Sequence, residues 1–438
     1  MTETLKITRD GWLNTSSSDP EEKTIIRLIV SVSDHVITRN VSKRGGGDSN
    51  AINTSLLPVT QFISDNWWAL LHEPVRPKIT DQFRARHRLD TGTRSYSFPA
   101  LALWSGGDST ILADWAIFEN PHSTISFITP DPREPAQLIR DQVEDTLMDL
   151  VEATLERSAG SSEELRSSWD RVTQSIGNSE ERNYCIAAGR LGLDPYDPDT
   201  PDLTVWTEGI NESLFTDVAE VADVENLPET LNWIRENETR LKLFPETDIS
   251  FFGAPEKDDL RLPAWVSGVE TAKRIQATLG LDLGNPRRVV DELLGSLVAE
   301  SGELSAEGPT GVTAMVQRLA SAARIGTIAK SARQRRFRGC AAIYLGWTAT
   351  DGEERATTEA ATRRQQSSRA FAAEMVAPRD VLLDRATADG FDDEDLWNLA
   401  GEFICPYDTV MWQAVRANIP LRGINLPRFY RAQVLTSA

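Results

Sequence analysis

Three groups of residues in this chain have types and spacings that bear on chemistry. The first is Ser105-Gly106-Gly107-Asp108-Ser109-Thr110, a short loop of glycines and hydroxyls. Between a strand and a helix, such a loop aims backbone N–H groups at a phosphate. The second is Arg333, Arg335, Arg336 and Arg338, the best basic patch, suited to phosphate or to an acidic protein surface. The third is Arg336-Phe337-Arg338-Gly339-Cys340-Ala341-Ala342-Ile343-Tyr344-Leu345, which is informative for what it lacks. A hydrolytic zinc helix carries histidines at i and i+4, which share the metal, and a glutamate between them as general base. Alanine and leucine offer no lone pair. All four histidines, His35, His72, His87 and His122, lie in the first third of the chain. His87 and His122 are flanked by loop-like residues, and no Ser-His-Asp arrangement suggests itself. No catalytic residue is assigned.

Downstream, Ser368-Arg369-Ala370-Phe371-Ala372-Ala373-Glu374-Met375-Val376-Ala377-Pro378 resembles a signature of the ImmA/IrrE family of zinc metallopeptidase-like proteins. The helix opening Arg336-Phe337, and a lead-in helix from Pro263 through Leu279-Gly280-Leu281, extend the resemblance over about 263–420. In active relatives the Arg-Phe helix carries His-Glu-x-x-His, and a glutamate one turn before the Phe of the signature is the third ligand. The resemblance places Ala341, Ala342 and Leu345 at the first three positions and Ser367 at the last. It therefore implies a zincin-type fold with no metal, no cofactor and no peptidase chemistry. A metallopeptidase with an unorthodox site is the rival that a bound metal would support.

The Ser105–Thr110 loop is similar to the Ser-Gly-Gly-x-Asp-Ser loop of PP-loop ATP-pyrophosphatases, one residue short before the aspartate. The next segment, Thr110 to Phe118, reads as a strand, so a hairpin turn at Gly106-Gly107 or Gly107-Asp108 is the preferred expectation.

The elements that must position these groups are bounded by composition. The 438 residues predict about two or three domains of roughly 150 residues. A net charge of −20 and a pI near 4.8 disfavour a general nucleic-acid binder, though not a local basic patch. No apolar leader segment and no apolar run long enough for a membrane span is visible, so a cytoplasmic location is expected. Cys185, Cys340 and Cys405 are odd in number and far apart, as reduced buried thiols would be.

The fold class expected is α+β. Residues 1–130 read as a β-rich α+β domain, with a β-branched strand over Thr24–Ser33, a turn at Asp34, and a buried helix from Leu56 to Leu71. That helix holds Trp67 and Trp68 as core aromatics. Strands are expected over Tyr96–Trp104 and Thr110–Phe118. Residues 134–250 read as a helical region, with Ser161 or Ser162 capping one helix and Glu181–Leu191 forming another. The acidic run Asp217–Glu225 reads as a solvated helix face. A boundary is expected between Gly253 and Pro263, and the resemblance implies that 258–438 is a degenerate zincin-type domain, mostly helical. Two final helices, opening at Asp392-Asp393-Glu394-Asp395 and at Pro406-Tyr407, resemble a helix-turn-helix-like element, but only Arg416 would serve the second in reading DNA.

The function expected is a non-catalytic regulatory or scaffolding protein whose metal-free peptidase-like domain binds a protein partner. The resemblance implies bacterial stress response, mobile-element control or phage defence as the setting. The alternatives are a nucleotide-binding enzyme using Ser105–Thr110, and a DNA-binding regulator using Arg333–Arg338.

Overall fold

The computed structural model describes residues 4–13, 16–76, 78–93, 96–107, 109–116, 123–132, 134–158, 162–255, 258–278, 280, 290–291, 302–305, 309 and 311–424. Asp108, His122, Ser161, Glu256, Lys257, Leu279 and Leu281 lie outside these residues. The fold class is α+β, and two compact units divide between Leu203 and Thr204.

The first unit begins with β1 (Leu5–Trp12), antiparallel to β2 (Ile25–Val32). Alternation decides which face of β2 is inside: Ile26, Leu28, Val30 and Val32 are fully buried. A turn at Ser33-Asp34 folds His35–Val36 back onto its end, and β3 (Ile52–Ser55) flanks its other side. The expected Leu56–Leu71 helix is two helices, α1 (Leu56–Asp65) and α2 (Trp67–His72), broken at Asn66. The break turns both tryptophans inward. Trp67 meets Trp169 edge to face at 5.0 Å, and Trp68 donates its indole N–H to the Tyr196 hydroxyl at 2.9 Å. After α3 (Asp81–His87), the strands β4 (Ala100–Gly107), β5 (Thr110–Ala116) and β6 (Ala136–Ile139) form an antiparallel sheet with β5 in the middle. Helices α4 (Arg140–Ser158), α5 (Glu163–Gly177) and α6 (Ser179–Arg190) complete the unit. Ser162 is the N-cap residue of α5, though its side chain makes no capping bond.

The second unit contains α7 (Glu212–Ala219), α8 (Leu227–Leu241), β7 (Thr247–Asp248) and α9 (Ala264–Thr278). The helices expected over 134–250 are therefore shared between the units, and the polar stretch after Gly253 lies inside the second one. The mostly helical expectation left out a five-stranded sheet. It is built from β8 (Gly302–Glu303), the hairpin β9 (Val312–Leu319) and β10 (Ala322–Thr327), β11 (Glu354–Thr358), and β7, in the order β7-β10-β9-β11 with β8 also on β10. Short strands with Gln317, Arg318, Arg324 and Arg355 inside them carry little apolar alternation, which is why the pattern is faint.

Helix α10 (Ala332–Thr348) lies on this sheet, with Gly346 so close to Val316 that a Cβ would stand 2.6 Å from its Cγ2. Helix α11 (Arg363–Val376) packs on α10 and on α9. Helices α12 (Arg379–Arg385), α13 (Asp393–Phe403) and α14 (Tyr407–Arg416) follow. Pro378, which cannot continue the ladder of α11, stands at the N-cap of α12. The thiols of Cys185, Cys340 and Cys405 are free and buried. Among the described residues, no helix is long and apolar enough to cross a membrane.

The approach of α9 to α11 is closest at Gly268, where a Cβ would lie 2.2 Å from the Ser367 carbonyl oxygen. Gly268→Ala is expected to destabilise the protein by about 1–3 kcal/mol, since the clash is with backbone. Gly177→Ala, where a Cβ meets nothing, should leave the denaturant midpoint of unfolding nearly unchanged. Equal midpoints for the two variants would refute the close approach.

Candidate functional site

The residues at the expected ligand positions come together in one place, the seam where α9, α10 and α11 meet. Ala341, Ala342, Leu345 and Ser367 are all buried, at most 2% exposed. The three apolar side chains belong to the unit's main core, with Phe371, Met375 and Val376 from the signature helix. Ser367 donates its hydroxyl to the Ala264 carbonyl of α9 at 2.8 Å. Burial pushes the Tyr344 hydroxyl up to about 12. The Tyr344 ring lies 5.3 Å from that of Phe371. Ser367 thus clasps α11 to α9. Glu374, also buried, accepts from the Gln413 side chain at 2.8 Å and so ties α11 to α14. Burial raises its carboxyl above the usual range, against the pull of Gln413 and Arg379. Among the described residues, no group of three or more histidines, cysteines and carboxylates is arranged to hold a metal ion.

The edge of the sheet beside this seam is closed by side chains. Strand β11 pairs with β9 on one side only, leaving the backbone groups of Ala356 and Thr358 pointing away from the sheet. The Ala356 N–H donates to the Asp217 carboxylate at 2.9 Å, and its carbonyl accepts from Gln365 at 2.8 Å. The Thr358 N–H donates to Gln365 at 2.9 Å, and its carbonyl accepts from Arg369 at 2.7 Å. The peptide groups that would pair with an added strand are therefore occupied. This corrects the expectation of a solvated acidic face over Asp217–Glu225 for Asp217 and Glu220, while Asp223 and Glu225 are exposed. Asp217 is 1% exposed, and Glu220, also buried, accepts from Thr362 at 2.8 Å. Burial pulls the Arg364 and Arg369 guanidinium groups down to about 10.

The arginine cluster is dispersed by the helix that carries it. Arg336, 4% exposed, pairs with Asp291, and Arg335 pairs with Glu303. Arg338 donates to the Ile328 carbonyl. Arg333 lies over the ring of Trp397, 6.0 Å from its centroid. Trp397 is 51% exposed, and its ring lies tilted against that of Tyr407 with centroids 4.7 Å apart. Arg416, the one basic residue expected to help α14 read DNA, lies over Trp265 at 5.2 Å.

Neither the chain's sequence nor its structure yields a relative: no family model, curated protein or solved structure matches.

In the first unit, Ser105, Gly106, Gly107, Ser109 and Thr110 belong to the tight hairpin between β4 and β5. Gly107 takes a φ of +116°, and a Cβ on Gly106 would lie 2.7 Å from the Thr110 hydroxyl, so both glycines answer to the turn. A strand succeeds the loop, so it opens no helix N-terminus of its own. Arg140, the first residue of α4, donates to the Ser105 hydroxyl at 3.1 Å and to the Gly107 carbonyl.

A buried ionic network went unseen in the sequence. His87 is the last residue of α3, not part of a loop, and is fully buried. Its Nε2 lies 3.0 Å from the Glu73 carboxylate and its Nδ1 2.6 Å from the Leu103 carbonyl. Arg86 grips the same carboxylate through two bonds of 2.9 and 2.8 Å. Burial alone would push Glu73 upward, but the bonds and charges of His87 and Arg86 outweigh it and hold the carboxyl at about 2. The spacing Glu73, Arg86, His87 has no motif character; only the meeting of α2, α3 and β4 reveals it. The carboxylate is stabilised in the folded state, so its contribution is present above about pH 4.5. It is lost as pH falls toward 2. Glu73→Gln should therefore cost on the order of 3 kcal/mol at neutral pH and have little effect near pH 2. A denaturation series showing the same loss at both ends would refute the assignment.

Proposed function

We propose that the second unit is a metal-free, peptidase-like module that binds a protein partner, and that the chain acts as a non-catalytic regulator or scaffold. The observation that carries this reading is the filled seam. The positions at which the family resemblance expects zinc ligands hold Ala341, Ala342, Leu345 and Ser367, all buried and packed. Apolar side chains that cannot ligate a metal and touch no solvent offer no route to hydrolysis. The closed β11 edge points the same way, since an extended peptide would find its pairing groups taken.

A binding role needs a surface, and the half-exposed Trp397 supplies a candidate. With Tyr407 tilted against it and Arg333 above it, it gathers the residue types that dominate interface energetics. The setting implied by the resemblance, bacterial stress response, mobile-element control or phage defence, belongs to the same proposal.

Elemental analysis of the dialysed, tag-free protein tests the non-catalytic half. Zinc, manganese and iron far below one per chain are expected; about one tightly held metal per chain would contradict the proposal. The binding half predicts that Trp397→Ser with Arg333→Ser abolishes retention of a specific partner without lowering the melting temperature. Unchanged retention would remove this patch from the proposal.

A further inference from the structure

Helix α1 turns Leu56, Val59 and Ile63 into the core of the first unit and leaves Leu57, Gln61 and Phe62 half-buried on its outer side. Helix α5 and the turn Leu89–Gly92 both pack against α1. The turn comes so close that a Cβ on Gly92 would stand 2.6 Å from that of Phe62. These elements and the short helix Pro20–Lys23 bound a groove of about 530 Å³, a size that suits a small molecule. Leu57 and Phe62 supply apolar surface, and Glu21, Asp65, Glu163 and Glu164 also line it. The described residues that line it include no lysine or arginine.

The four carboxylates keep acceptor capacity. Among the described residues, the carboxylates of Glu21, Glu163 and Glu164 enter no ion pair or hydrogen bond. Asp65 accepts from Gln61 at 2.9 Å and from Ser168 at 2.8 Å, but both bonds reach Oδ1, and Oδ2 has no partner among the described residues. Asp65 is also the last residue of α1, where the helix dipole opposes a negative charge. Glu163 and Glu164 stand at the favourable end of α5. The two helix ends contribute about half a charge each, of opposite sign, so they cancel and the carboxylates set the potential.

Such a groove draws cations, and its geometry selects among them. A compact divalent ion wants several oxygens at once. Among the described residues, no three carboxylates, histidines or cysteines are placed to hold a metal ion. Separated carboxylates beside apolar surface match a chain whose charges are themselves separated by methylenes. We propose that this groove binds a linear aliphatic polyamine, its ammonium groups held by Glu21, Asp65, Glu163 and Glu164 and its methylenes laid on Leu57 and Phe62.

The test is calorimetric titration of the full chain with spermidine. The variants are Glu163→Gln/Glu164→Gln, Asp65→Asn, and the control Glu229→Gln/Glu236→Gln, an exposed pair of the second unit that removes the same charge. Glu163 and Glu164 are exposed, and Asp65→Asn keeps an oxygen for Gln61 and Ser168, so melting temperatures should hold. Saturable one-site binding is expected, weakened about tenfold in Glu163→Gln/Glu164→Gln, weakened in Asp65→Asn and unchanged in the control. It should persist with an equal concentration of magnesium chloride. No saturable binding, equal weakening by the two double variants, or displacement by equimolar magnesium would overturn the proposal. Tighter binding of trilysine, which has the same net charge as spermidine, would place recognition in a basic peptide and overturn it as well.

Discussion

The second unit is organised by the contact between α9 and α11, where Gly268 leaves no space for a methyl group against the Ser367 carbonyl. Once the backbones are that close, the Ser367 hydroxyl reaches Ala264. The alanines of α10 and α11 then let the same seam close from the other side, with Phe371 and Leu345 filling it. A closely packed interior has no room for a metal, its ligands and a water. The sheet beneath is drawn in by the same logic, since Gly346 lets α10 settle against Val316. The chemistry this seam can perform therefore follows from its packing.

Charge plays a different part in each unit. In the second, Asp217, Gln365 and Arg369 commit their polar groups to the backbone of β11, which turns an exposed sheet edge into a buried one. Removing any one would leave a buried peptide group unpaired. In the first, Glu73 is the fixed centre to which His87 and Arg86 are bound, and it joins α2 to α3. The strongly acidic chain coexists with arginines held inside it, so net charge says little about where cations act.

Much of the architecture was legible because it rests on local pattern. The β-branched alternation of β2, the lead-in helix α9, the signature helix α11 and the acidic first turn of α13 all lie where the sequence puts them. A hairpin between β4 and β5 was legible because turn chemistry is local as well, although Gly107 still pairs with Thr110, so the turn lies one step beyond Gly106-Gly107. Illegible were the features that depend on partners distant in sequence. Asp217 reads as solvated until β11 arrives, His87 reads as a residue among loop-like neighbours until Glu73 meets it, and β9 and β10 mix polar, small and apolar residues too irregularly to show a clean period. The arginine run at 333–338 reads as one patch, yet the helix turns its members toward Trp397, Glu303, Asp291 and Ile328. The correspondence of Ala341, Ala342, Leu345 and Ser367 with ligand positions remains a proposal resting on the resemblance.

The most direct test of the closed seam is to install the absent ligands. In the triple variant Ala341→His, Ala342→Glu, Leu345→His, three polar groups enter a core that offers them no partners. Equilibrium unfolding with zinc in excess should show a loss of several kcal/mol of stability. Bound zinc should stay well below one per chain, because Ser367 is already committed to Ala264. A variant as stable as the wild type, or one holding stoichiometric zinc, would contradict the account, since either requires an open site where the structure has a packed one.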